Sequence, residues 1–145
     1  NKNKRGNYLI PLISTSEVRE ISPSGKLINS FKVEGTPFTT LESTDGNYWI
    51  ACGDGHTLIE VNPNDGQIIR RYNENDIKGV RLFFTAGLCK SADGNLYICN
   101  WQGHSHDANA ANSPQLFEIN QKGEVIWSLN DNQTSGMISA VSTIN

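Results

Sequence analysis

No apolar run in this 145-residue sequence approaches the ~20 residues that a membrane-spanning helix needs; the longest, Tyr8 to Ile13, is interrupted by Pro11. Clustered Lys and Arg are equally scarce. A net charge of −3 leaves no basic surface for a phosphate backbone, so nucleic acid is not an expected partner. The one basic cluster, Lys2, Lys4 and Arg5, sits among the first residues and reads as a frayed end. Cysteine is limited to Cys52, Cys89 and Cys99, without C-x-x-C spacing. These read as buried small hydrophobes; a disulfide between two of them stays open, and the sequence does not show which two. No His is paired by spacing with any of the thiols, and no Ser/His/Asp arrangement marks a nucleophile. Sustained helical periodicity is missing too: the best candidate, Asp76 to Leu88, is broken by Gly79 and Gly87. Asn130-Asp131-Asn132 followed by Gly136 lacks the spacing and the closing Glu of a calcium loop.

What the sequence does contain is a repeat. Gly6-Asn7-Tyr8-Leu9-Ile10 is followed by Val18-Arg19-Glu20-Ile21 and a turn ending in Gly25. Gly46-Asn47-Tyr48-Trp49-Ile50 is followed by Leu58-Ile59-Glu60-Val61 and Gly66, and Gly94-Asn95-Leu96-Tyr97-Ile98 by Leu116-Phe117-Glu118-Ile119 and Gly123. A Gly-Asn, an apolar-Glu-apolar triplet and a turn glycine thus recur in one order three times. Val, Ile, Tyr, Trp and Phe cluster in runs of four to eight bounded by Gly, Asn, Asp and Pro, the signature of short strands joined by tight turns. In each repeat strand b follows the Gly-Asn, strand c carries the Glu and strand d follows the turn glycine. Strand a precedes them, at Phe38 to Ser43 and Phe83 to Lys90.

Four short antiparallel strands recurring every 40 to 50 residues predict an all-β chain: a β-propeller of four-stranded blades. The expected division of residues 1–145 is a partial first blade over 6–34, a second over 36–74 and a third over 81–130. Residues 137–144, which alternate apolar and polar, are expected to be the first strand of a further blade. About three blades are too few for a ring, since closed propellers use roughly four to eight. The expectation is therefore a segment of a longer propeller, or a homodimer in which residues 138–144 of one copy complete the first blade of the other.

The spacing also selects a face. In an up-and-down blade the a–b and c–d turns lie at one end, the b–c and d–a connections at the other. Gly6 to Glu20 and Gly46 to Glu60 are each 14 residues apart, but Gly94 and Glu118 are 24 apart, so the third b–c loop carries ten extra residues. Glu20 to Gly46 spans 26 and Glu60 to Gly94 spans 34, placing eight more in or near a d–a connection. Both expansions open on one face, where binding residues concentrate. The candidate ligand-binding residues are Trp101, Gln102, His104, His106 and Asp107 of the long loop, with Asp54 and His56 of the equivalent turn one blade earlier. Trp101 offers a rigid apolar face for a sugar or aromatic ring, or packs beneath its own loop. His104, His106 and Asp107 offer two imidazoles and a carboxylate to a divalent metal, or else cap backbone groups in a polar loop.

Apolar-Glu-apolar followed by Ser22-Pro23 or Asn62-Pro63, and Gly-[Lys/Gln/Glu]-apolar-Ile after it, resembles bacterial quinoprotein-like (PQQ-like) and NHL-like propeller repeats. Asn100-Trp101-Gln102-Gly103-His104, Pro114 to Ile119 and Gly123-Glu124-Val125-Ile126-Trp127 look particularly like the first group. The resemblance implies the propeller fold and an extracytoplasmic setting: periplasmic, cell-surface or secreted. Quinoprotein repeats place a docking Trp after the turn glycine of each blade; here only Trp127 does so, Asn29 and Arg70 taking the matching positions, so pyrroloquinoline quinone is not supported as a cofactor. The function expected is a non-catalytic binding module for a small molecule, glycan or protein. The alternative is a propeller enzyme, a metal-dependent lactonase or hydrolase or a quinoprotein-type dehydrogenase.

Overall fold

The structure, a computed structural model, describes residues 1–143. Eleven strands form three antiparallel sheets in chain order. The first holds β1 (Tyr8–Leu12), β2 (Glu17–Ile21) and β3 (Leu27–Lys32). The second holds β4 (Thr39–Glu42), β5 (Tyr48–Ala51), β6 (Leu58–Val61) and β7 (Ile68–Tyr72), and the third holds β8 (Phe84–Lys90), β9 (Leu96–Trp101), β10 (Leu116–Ile119) and β11 (Val125–Leu129). These are propeller blades set side by side. Turn chemistry fixes where each hairpin reverses: Gly46 and Gly66, at φ of 93° and 73°, take a conformation that side chains resist.

Alternation along each strand divides the side chains between two boundaries. On β5, Tyr48 and Ile50 pack with Leu9 and Val18 of the first blade. Trp49 and Ala51 point the other way, into a cluster with Leu88, Leu96 and Ile98 of the third. A middle blade is covered on both faces, which is why all four residues of β5 are buried. The d–a expansion contributes here as well: Ile77, Val80 and Leu82 are buried in the boundary between the second and third blades.

The recurring Glu has a structural role that explains its position. Asn7, Asn47 and Asn95, the Asn of each Gly-Asn, donate through Nδ2 to Glu20 (2.6 Å), Glu60 (3.2 Å) and Glu118 (3.0 Å) respectively. All three carboxylates are buried. The register slips by one residue immediately after each Glu, leaving Ile28, Ile69 and Ile126 unpaired on the outer strand, each about half exposed.

The structure departs from three expectations. Lys2, Lys4 and Arg5 are not a frayed end. Lys2 forms a single antiparallel bridge to Tyr8 beside β1, Lys4 Nζ donates to the Thr44 carbonyl, and Arg5 pairs with Glu20 at 2.9 Å. The buried Glu20 carboxylate needs donors, and this segment supplies them. Beside β1, where a partner's residues 138–144 were expected, the chain's own first residues hydrogen-bond to Asn7 and Leu9 (Asn3 N–H to the Asn7 carbonyl, Leu9 N–H to the Asn1 carbonyl). Residues 137–143 form no strand, since no neighbouring strand offers them a ladder; Ile144 lies outside the described residues. Ile138 and Val141 nevertheless pack against Phe84, Ala86 and Cys99. Gly87 permits this approach, because a Cβ there would stand 2.8 Å from Ala140 Cα. The three cysteines are free thiols, Cys52 and Cys99 buried and Cys89 half-buried.

Candidate functional site

The two expanded connections and the second blade's b–c turn meet in a cleft of about 350 Å³ lined by Asp54, His56, Glu74, Arg81, Phe84, Trp101 and His104, with Phe83 and Ser105. Its position is set by a few buried polar contacts. Asn100, fully buried at the end of β9, accepts from the Phe83 N–H (2.7 Å) and donates to the carbonyls of Arg81 (2.9 Å) and Pro114 (3.0 Å). Ser113 accepts from the Arg81 N–H (3.1 Å) and donates back to the Arg81 carbonyl (2.9 Å). The d–a connection and the long loop are thereby tied to one residue. From the other side, Gly53 bridges to Thr85, and the Thr85 hydroxyl donates to the Thr57 carbonyl at 2.9 Å.

One wall is aromatic. Phe84 stands edge-on to Phe38, Trp101 and His104, with centroids 4.9, 5.4 and 5.4 Å apart, and Trp101 meets His104 at 4.6 Å. Two glycines make room for these rings. A Cβ on Gly53 would stand 2.9 Å from the Phe84 ring, and one on Gly103 only 2.1 Å from that of Trp101.

Charged and polar groups complete the lining. His104 Nδ1 lies 3.1 Å from Asp54 Oδ1, both side chains well exposed to the cleft mouth. His56, held at φ 51°, turns its ring nitrogen onto the Phe83 carbonyl. Arg81 links Glu74 to Asp107 and lies over the Phe83 ring. The Asn109 N–H and then the Arg81 guanidinium hold the Asp107 carboxyl below its ordinary range.

Of the residues singled out from the sequence, Asp54, His56, Trp101 and His104 converge on the cleft. Asp107 reaches it only through Arg81. Gln102 is buried beneath the loop, donating to the Ser113 carbonyl at 2.8 Å, and His106 is exposed and outside the lining. The metal site expected from His104, His106 and Asp107 is not assembled: His104 is turned to Asp54, and Asp107 to Arg81 and Asn109. Among the described residues no three His, Cys, Asp or Glu side chains form a group able to hold a metal ion. The pattern singled out neither Arg81 nor Glu74. Only the eight-residue expansion containing them was visible, because no repeat partner marks individual residues within an insertion.

Fold and cleft together define β-propeller blades with a polar, aromatic-lined recess at a blade boundary. The chain belongs to the Mal s 1 allergenic protein-like family, whose model matches residues 1–124. It is similar to a protein of unknown function from Bacteroides caccae: 52% identity and a TM-score of 0.83 over 98% of this chain and 52% of that one. It thus spans about half the length of that relative. Virginiamycin B lyase from Staphylococcus aureus (12% identity, TM-score 0.70, 98% of this chain and 43% of that one) and BamB from Moraxella catarrhalis (13%, 0.55, 88% and 35%) share the fold alone. No curated protein matches the chain. Among the described residues no helix is long and apolar enough to cross a membrane.

Proposed function

We propose that this chain is the ligand-binding part of a β-propeller, taking a small molecule or glycan in the cleft between Asp54 and Trp101. The observation that carries this reading is the convergence of two insertions from different blade connections on one recess. That recess is lined by the rings of Phe84 and Trp101, with His104 packed against both, and by the charged groups of Asp54 and Arg81. Rings supply apolar contact at low entropic cost, and the charged groups fix orientation. A ligand carrying a ring and several hydroxyl or amide groups suits this mixed lining. The setting proposed is outside the cytoplasm, in line with the resemblance to bacterial propeller repeats.

A second reading, an enzyme, is favoured by the His104–Asp54 pair: a carboxylate beside Nδ1 orients the imidazole and supports Nε2 as a base. The lyase neighbour belongs to this reading only as a likeness of fold. The test for both is a thermal-shift and calorimetric screen of mono- and oligosaccharides and aromatic amides against wild type, Trp101→Ala and His104→Ala. Saturable binding that falls at least about tenfold in Trp101→Ala supports the site. Turnover of a bound compound, lost in His104→Ala while binding persists, moves the reading to an enzyme. Binding that neither substitution affects rejects both.

Further blades, from a longer chain or a second copy, are part of the proposal. Tyr48 and Ile50 are buried against the first blade, whereas Tyr8 and Ile10, at the same positions of that blade, are 42% and 40% exposed. At the other end Asn29 and Arg70 each donate to a turn carbonyl of the following blade, Pro63 and Gln121 (2.6 Å each). Trp127, at the matching position, is 45% exposed. Sedimentation at rising concentration tests the second-copy form, which predicts self-association; a chain that stays monomeric leaves the longer-chain form.

A further inference from the structure

The three recurring carboxylates are not equally provided for, and the difference coincides with an open volume. Glu20 accepts from Asn3 Nδ2 (2.8 Å), Asn7 Nδ2 (2.6 Å), Arg5 Nη2 (2.9 and 3.0 Å, one to each oxygen) and the Tyr48 hydroxyl of the next blade (3.1 Å). Both oxygens are fully used. Glu60 occupies the same place one blade on and is 5% exposed. Its Oε1 accepts from Asn47 at 3.2 Å, while Oε2 has only the Arg70 Nε at 3.7 Å, beyond hydrogen-bond distance.

Substitution of the matching residues explains the deficit. Where the first blade has Asn3 and Arg5, the second has Ser43 and Asp45; where Tyr48 donates across the first boundary, Leu96 faces the second and cannot. Ser43 is committed to Asp45 and to the Asn47 carbonyl, and its hydroxyl holds the Asp45 carboxyl below the ordinary range. The Asn47 amide bridges the two carboxylates, reaching Asp45 Oδ2 at 3.0 Å. Arg70 is kept at a distance because Nη1 donates to the Gln121 carbonyl at 2.6 Å while the guanidinium lies over the Trp49 ring. Around these groups lies a recess of about 370 Å³, on the a–b and c–d face, opposite the cleft described above.

We infer that this recess is a second site, one that takes a guanidinium group presented by a ligand from outside, with Glu60 and Asp45 as its carboxylate partners. The first blade shows what such a carboxylate accepts at this position: a guanidinium, whose Nη2 stands against both Glu20 oxygens and whose remaining N–H donors would be free for a second carboxylate such as Asp45. Two carboxylates against the single cation Arg70 leave the recess net negative. The inference does not depend on the ligand proposed for the other cleft.

The probe is L-arginine amide, with L-citrulline amide as the isostere whose side chain is uncharged, followed by amide NMR shifts. Saturable shifts are expected for Asn47, Trp49, Glu60 and Leu96 with arginine amide in the range of about 0.1–10 mM. Citrulline amide, and arginine amide with Glu60→Gln, are expected to bind at least about tenfold more weakly, as loss of one charge-assisted pair requires. Leu96→Tyr rebuilds the first blade's donor and fills the recess. It is expected to abolish the shifts with the melting temperature unchanged or raised. Should that variant not fold, Glu60→Gln, which keeps size and hydrogen-bonding capacity, carries the test. Equal affinity for citrulline amide, undiminished binding in Glu60→Gln, undiminished binding in a folded Leu96→Tyr, or no saturable shifts at all would each overturn the inference. Shifts confined to residues 54–56 and 101–105 would do the same while leaving the first cleft's role intact.

Discussion

Replacing Glu20 by Gln tests the physical account of the repeat, because it removes a charge and an acceptor while keeping the shape. In the wild type this carboxylate is 2% exposed. Burial alone would raise its pKa; hydrogen bonds from Asn7, Asn3 and Tyr48 and the charge of Arg5 outweigh it and hold the group below its ordinary value. A glutamine at this site keeps one acceptor oxygen for Asn3 and Asn7, without the charge, and turns an NH₂ toward Tyr48 and Arg5, so the Tyr48 O–H loses its acceptor. Arg5 is 66% exposed and contributes little. Losing charge-assisted bonds at the buried donors is expected to cost about 3 kcal/mol, a large part of a domain's total stability. The assay is urea unfolding of both proteins at neutral pH and at several lower values. A depressed native pKa contributes stability that is fully present above the unfolded value and is lost as pH falls through the native one. The gap between wild type and variant should therefore narrow as pH drops below about 5. A neutral-pH gap under about 0.5 kcal/mol, or one independent of pH, would refute the reasoning.

Gly103→Ala places a methyl group 2.1 Å from the Trp101 ring, so the indole must leave its position. A loss on the order of 2 kcal/mol and a shifted tryptophan emission are expected in denaturation followed by fluorescence; an unchanged emission would show that the loop backbone yields instead. Burial pushes the Cys99 thiol up to about 11 and raises that of Cys52. Of the three thiols only Cys89 should react rapidly with Ellman's reagent at pH 8, the other two following global unfolding; three fast thiols would contradict the packing.

The strand order was legible because period-2 patterning, turn glycines and the Glu recur three times, and repetition separates architecture from accident. What the Glu does was not legible: the Asn–Glu hydrogen bond joins residues 13 to 23 apart, and its necessity comes from burial, which only the packed blades reveal. The first five residues were misread because a segment this short has no pattern of its own; the buried Glu20 and the backbone of β1 and the second blade give it order. For the site, counting insertions chose the face, and Asp54, His56, Trp101 and His104 do meet there. The metal trio failed because adjacency in a loop does not fix side-chain direction; Arg81 captured Asp107. Residues 137–143 carry a strand's alternation without a strand, since alternation specifies which side chains are buried while a ladder needs a neighbour.

The most direct test of the central claim is amide NMR mapping of whichever sugar or aromatic amide gives the largest thermal shift. The account predicts that shifts cluster at residues 54–56, 81–84 and 101–105, and that Trp101→Ala removes them without lowering cooperativity of unfolding. Shifts centred elsewhere on the chain, with those segments silent, would contradict it.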